Sequence, residues 1–150
     1  MNPSENKNLM QRIFSGLSEG NSQLFFESMA DDFCWTLTGT TKWSKTYSGK
    51  QAVIDKLIGP LRAKLEGRIR TTARRFIADG EFVVVEAQGN NRTKTGAAYN
   101  NTYCYVFRLE GGKLKEMTEY FDTELVTSAL GDPDSPSASS YQIVSVAGGS

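Results

Sequence analysis

The chain has 150 residues, with 17 basic and 17 acidic side chains, two cysteines and no histidine. That length suits one domain with a substantial core, and zero net charge argues against a nucleic-acid partner, which needs a basic face. Without histidine there is no Ser-His-Asp triad, no Cys-His nucleophile and no imidazole-bound zinc, so any catalysis falls to Asp, Glu, Tyr, Lys or an external cofactor. Cys34 and Cys104 are too few for an all-cysteine zinc site and read as buried apolar thiols. No metal or cofactor site is predicted. Met1 to Lys7 is polar and no apolar run nears the roughly 20 residues of a membrane span, so the expectation is a soluble, cytoplasmic protein with no membrane partner.

Leu9, Met10, Ile13, Phe14 and Leu17 recur at helical spacing and predict an amphipathic helix over 5–18 that stops at Gly20. Asn21 or Ser22 caps a short second helix marked by Leu24, Phe25, Phe26 and Met29. Phe33, Trp35 and Leu37 alternate as in a half-buried strand. Residues 38–48 read as a polar loop at a pocket mouth, with Trp43 and Tyr47 as lid residues or surface aromatics. Ser48 with Gln51 has the spacing of a capping box for a third helix with the stripe Val53, Ile54, Leu57 and Leu61, which Gly59-Pro60 should end or kink near Ile58. After Gly67 the period changes to strands: 68–78 and 81–89 about an Asp79-Gly80 turn, then 98–109 and 113–121. Asp122 caps a last helix reaching about residue 130. Helices followed by an antiparallel meander make an α+β domain over 1–130. Residues 131–150, rich in Gly, Ser, Pro and Asp, read as a flexible tail whose one strand-like stretch is Tyr141 to Val146.

Alternation sorts the strand residues into faces. Tyr99, Asn101, Tyr103, Tyr105, Phe107 and Leu109 share one face, and this bulkier face should meet the helices. Met117, Glu119 and Phe121 share another, as do Phe82, Val84, Glu86 and Gln88. Register decides whether these faces coincide. A three-residue loop at Glu110-Gly111-Gly112 pairs Leu109 with Lys113 and sets Tyr103 opposite Glu119; a two-residue Gly-Gly loop sets Glu119 beside Cys104.

The stretch YNNTYCYVFRLEGGKLKEMTEYFD from Tyr99 to Asp122, with VVVEAQG at 83–89, ADDFCW at 30–35 and YSGK at 47–50, resembles SnoaL-like proteins of the nuclear transport factor-like, ketosteroid-isomerase-like superfamily. The resemblance spans about residues 5–130. It implies three helices in the concave face of a curved, mostly antiparallel sheet, a cone-shaped α+β barrel with an internal pocket, and a homodimer. It does not name an activity, since the superfamily holds isomerases, cyclases, epoxide hydrolases and non-catalytic binders. Matched to the Asp-Arg-Asp set of limonene epoxide hydrolases, Glu119 takes one aspartate, while Glu86 and Gln88 replace the arginine and the other aspartate. Matched to ketosteroid isomerases, Leu37, Ile13 and Tyr105 fall at the catalytic positions. Neither chemistry is expected in its known form.

The constellation that remains is Glu86, Asn101, Tyr103 and Glu119 on one cavity. Two carboxylates in apolar surroundings would not both ionise, so Glu119 and Glu86 would supply an acid and a base without histidine or cofactor. Asn101, Tyr103, Gln88 and Trp43 would hold a small apolar or amphipathic substrate. Three classes stay open: an acid/base enzyme of isomerase, cyclase or hydrolase type, a non-catalytic binder using the same cavity, and a dimerisation module whose cavity is filled. Two close carboxylates favour the first. An apolar cavity with Glu86 turned to solvent favours the second, and side chains of Phe26, Met29, Phe107 and Phe121 plugging the space favour the third.

Overall fold

Asn2 starts the first helix: in the computed structural model, which describes residues 1–135, its side chain accepts the Glu5 N–H at 2.8 Å while the Glu5 carboxylate reaches back to the Asn2 N–H. This reciprocal cap opens α1 (Pro3–Ser18), which buries Met10, Ile13 and Phe14. Gly20, at φ 78°, turns the chain into α2 (Gln23–Ser28). Met29, expected at the end of that helix, is already the first residue of β1 (Met29–Leu37), and β2 (Thr46–Ser48) follows.

The third helix departs from expectation at both ends. Ser48 belongs to β2 and caps nothing; Gly49, at φ 94°, precedes α3 (Lys50–Ala52) with no side-chain cap. Gly59-Pro60 does not end the helix. The chain widens into a π-helical segment, Val53–Ile58, in which the Gly59 N–H reaches the Ile54 carbonyl, and continues as α4 (Gly59–Lys64). Proline lacks an N–H and its ring crowds the carbonyl one turn back, and a wider turn relieves that crowding.

The strands that follow are β3 (Thr71–Asp79), β4 (Phe82–Gly89), the short β5 (Asn91–Arg92) and β6 (Ala98–Tyr99), then β7 (Thr102–Glu110) and β8 (Lys113–Phe121). The first hairpin turns on Gly80-Glu81, one residue later than expected, because Gly80 takes the left-handed φ of 57° and Asp79 pairs with Phe82. The strand predicted over 98–109 breaks at Asn100-Asn101 into β6 and β7. Asp122 caps α5 (Thr123–Leu130), its carboxylate accepting the Leu125 N–H at 3.2 Å. The stretch Tyr141 to Val146, and the tail beyond Ser135, lie outside the described residues.

Among the described residues six strands form one curved sheet in the order β2-β1-β8-β7-β4-β3, all neighbours antiparallel except β1 and β8, which run parallel. Helices pack in its concave face, closing a cone without closing the sheet into a barrel. Inner faces match by volume: Val83, Val85 and Ala87 of β4 lie opposite Phe107, Tyr105 and Tyr103 of β7. The β7–β8 register follows neither predicted loop. The turn is the two-residue Gly111-Gly112, but Lys115 is an extra residue on β8, a bulge that shifts the pairing by one and sets Glu119 opposite Tyr105. A bulge at Arg74 likewise leaves Arg74 and Arg75 both exposed, where strict alternation would put them on opposite faces. Cys34 and Cys104, expected in the core, are partly exposed on the outer side of the sheet and are unpaired.

Candidate functional site

A cavity of about 560 Å³ opens between the helices and the concave sheet. Its floor is sheet: Trp35 and Leu37 of β1, Tyr103, Tyr105 and Phe107 of β7, and Met117 and Glu119 of β8. Phe14, Phe25, Leu57 and Ile58 form the helical wall, and Val126 and Leu130 of α5 close one end. At the mouth lie the α1–α2 turn, Arg62 of α4, and Gly67-Arg68.

Among the described residues Glu119 is the one acidic side chain on this lining. It is 7% exposed, and its Oε1 accepts the Trp35 indole N–H at 3.1 Å. The Thr38 N–H and hydroxyl both donate to its backbone carbonyl, at 3.1 and 2.9 Å, which fixes the strand beneath it. Burial pushes the carboxyl up to about 8, against which the Trp35 hydrogen bond is the smaller, opposing effect. Glu119 therefore holds its proton at neutral pH. Oε2 has no hydrogen-bond partner among the described residues, yet it is not sealed within protein atoms. It is the polar atom free to meet a guest.

The tyrosines around it keep their protons at neutral pH. Tyr103 and Tyr105 stack with centroids 5.0 Å apart, and burial holds both hydroxyls well above their ordinary value. The Tyr105 hydroxyl leans on Thr71 and that of Tyr103 on Tyr99, whose own hydroxyl burial pushes up to about 12.

Of the residues singled out in the sequence, Glu119, Tyr103 and Trp43 lie on the cavity. Glu86 does not. It stands on the outer face of the sheet, 48% exposed, paired with Arg75 at 3.0 Å. Gln88 is on that same face, donating to the Asn100 carbonyl at 2.7 Å and accepting from the Thr102 hydroxyl. The expected pair of carboxylates is thus divided by the sheet, because the valines and alanine of β4 are the residues small enough to face the β7 aromatics. Asn101 is fully buried but spends itself on the chain: its amide donates to the Asp122 carbonyl and the Tyr99 hydroxyl and accepts the N–H groups of Thr102 and Asp122. It clamps the β6–β7 break to the start of α5 and does not line the cavity. Trp43 is wall rather than lid, 2% exposed with its indole N–H on the Gly131 carbonyl at 2.7 Å. The loop bearing it is laced by Thr41, Ser44 and Thr38, and the Tyr47 hydroxyl, also buried, donates to the Trp43 carbonyl.

Two contributors escaped the sequence reading. Alternation turned Trp35 inward, but nothing in one strand's pattern pointed its N–H at a residue 84 positions away. Tyr105 came opposite Glu119 only through the Lys115 bulge. Among the described residues no group of three or more Cys, Asp or Glu side chains is placed to hold a metal ion, and no helix is long and apolar enough to cross a membrane.

The sequence matches the model of the SnoaL-like domain over residues 10–117, most of the chain. The chain belongs to the SnoaL-like family. No curated protein matches this SnoaL-like chain. Among solved structures it is similar to an NTF2-like protein of unknown function from Burkholderia pseudomallei K96243, at 20% identity and a TM-score of 0.72 over 83% of this chain and 96% of that one. It is also similar to a candidate SnoaL-like polyketide cyclase from Jannaschia sp. CCS1, at 17% identity and a TM-score of 0.70 over 86% and 93%. A third is TerC, co-crystallised with polyporic acid, at 21% identity and a TM-score of 0.69 over 83% and 97%. These likenesses establish an NTF2-like fold.

Proposed function

We propose that this SnoaL-like chain binds a small, largely apolar molecule whose oxygen atom accepts the proton of Glu119. One observation carries the reading: a protonated carboxyl, with an unpartnered oxygen, at the floor of an otherwise apolar and aromatic cavity. Such a cavity gains affinity from apolar burial and orientation from a few polar groups. The fold neighbour TerC, co-crystallised with polyporic acid, supports a small-molecule guest. The vestigial reading loses ground, since Met29 and Phe121 are absent from the lining while Phe26 and Phe107 leave the space open.

Turnover is the second reading, favoured by a carboxyl that gives up its proton near pH 8. With Glu86 outside, Glu119 would act alone, donating a proton to the guest and taking one back from a neighbouring atom, as isomerase or cyclase chemistry requires. Two substitutions separate the readings in a thermal-shift and turnover screen of steroids, terpenoids, polyketides and aromatic acids. Glu119→Gln keeps a hydrogen-bond donor but cannot transfer a proton. It should retain ligand stabilisation and lose turnover by about 10²-fold or more. Glu119→Leu should lose about tenfold in affinity. Undiminished binding in the leucine variant sinks the anchor, and undiminished turnover in the glutamine variant sinks the acid/base role.

We also propose that two copies meet through the outer face of the sheet. Ile77, Val84, Val106, Thr118, Thr36 and Thr46 stand in register in one uncharged row across all six strands. Ile77 and Tyr120 are each more than half exposed on this face. The charges beside the row are neutralised within the chain, Arg75 by Glu86 and Arg108 by Glu116 and Glu81.

A further inference from the structure

The cavity has two chemically different ends. Among the described residues its floor holds one carboxyl and no cation, whereas its mouth carries two arginines and no acid. Neither Arg62 nor Arg68 has a carboxylate partner among the described residues, while Arg75, Arg108 and Lys115 each have at least one.

Both mouth arginines are held against the same turn. The Arg62 guanidinium lies over the Phe26 ring, 5.4 Å from its centroid, and donates to the Ser22 hydroxyl at 3.4 Å. The stem of Arg68 packs on Gly20 so closely that a side chain there would meet its Cβ at 2.8 Å and its Cδ at 3.2 Å. Gly20 thus serves the turn, at φ 78°, and also makes room for Arg68. Two guanidiniums are in this way drawn from different segments, α4 and the Gly67-Arg68 loop, to one rim.

With Glu119 protonated, no described residue on the lining offsets that charge, although the chain as a whole is neutral. Guanidiniums beside an apolar opening are donors in a low-dielectric setting, where planar oxyanions such as carboxylate and sulfonate are bound strongly. We propose that the guest is an amphipathic anion, with an apolar or aromatic body in the cavity and a carboxylate-like group at the mouth between Arg62 and Arg68. This rests on the pocket reading above and adds the guest's charge and orientation.

Two dyes sharing one skeleton test it: 1-anilinonaphthalene-8-sulfonate, and N-phenyl-1-naphthylamine, which lacks the sulfonate. Fluorescence titrations of the whole chain should show the sulfonate binding about tenfold more tightly, with each dye displacing the other. In the double variant Arg62→Gln, Arg68→Gln this preference should vanish through weaker binding of the sulfonate. Lysine at both positions should restore part of it, and salt should weaken only the sulfonate. Equal affinity of the wild type for both dyes overturns the anion while leaving the pocket intact. A preference that survives the glutamine variant overturns the assignment to Arg62 and Arg68. If neither dye binds, the pocket reading and this one fall together.

Discussion

At the scale of single residues, the Glu119 proton has a consequence for stability that is separate from any ligand. In the fold the carboxyl titrates at about 8, against an ordinary value of 4.5. Between those two pH values the native state holds a proton that the unfolded chain has lost. Stability should therefore fall as pH rises through this window, by about 1.4 kcal/mol per pH unit from this group, and level off above it. Melting curves at pH 5, 6, 7 and 8 should show the wild type losing ground relative to Glu119→Gln, which keeps the Trp35 hydrogen bond and has nothing to ionise. Parallel pH profiles for the two proteins would sink the buried proton. Legibility at this scale was uneven. The inward face of Tyr99 to Leu109 could be read directly, because large aromatics alternate with smaller or polar neighbours and only one face suits a core. Glu86 was misplaced because β4 offers apolar residues on both faces, Val84 beside Val83 and Val85, so its own period names no inside. What decides is volume across the strand pair, and that is visible only once β4 is paired with β7.

Among elements, the β7–β8 hairpin has the greatest leverage over the site. Its Gly111-Gly112 turn alone would put Glu119 beside Cys104, on the outer face. The bulge at Lys115 reverses that parity. Lys115 is anchored in turn, its ammonium 2.6 Å from an Asp32 oxygen on neighbouring β1. Deleting Lys115 should remove the bulge and keep the pairing, since behind the two-residue turn Leu109 still meets Leu114 and Tyr105 still meets Glu119, so a cooperative melt should survive. Deleting Thr118 while Lys115 stays should instead turn either Met117 or Glu119 and Phe121 to the wrong face and abolish the cooperative melt. Both melts are followed by far-ultraviolet circular dichroism. A Lys115 deletion that does not fold, or a Thr118 deletion that folds equally well, would show that the bulge does not set the register. Turn glycines were readable from sequence, but a bulge is not, because Lys115 differs in no local property from its strand neighbours. The same limit hid the π-helical segment, since Gly59-Pro60 signals a break and only packing against the sheet carries the helix through it.

For the molecule as a whole, the uncharged row on the outer face gives the proposed dimer its test. Light scattering after gel filtration should return twice the mass of 16.6 kDa. Val106→Lys, placing a charge from each copy at the centre of the face, should return a monomer with a cooperative melt. A wild type that runs as a monomer at tens of micromolar overturns the dimer. The general architecture was the most legible level, because helical spacing in the first third and alternation after Gly67 already separate the two layers. Sheet order was not, since β1 lies beside β8 through a parallel pairing that no turn announces. That pairing has a bearing on how the chain is made. The strand synthesised first among the six has the last as its inner neighbour, and Trp35 finds Glu119 across 84 positions. On the ribosome, β1 must wait with one edge unmatched until residue 121 has cleared the exit tunnel, and the cavity floor is completed only then. A nascent chain halted before β8 emerges should thus be protease-sensitive throughout, and lengthening it past that strand should convert it in one step.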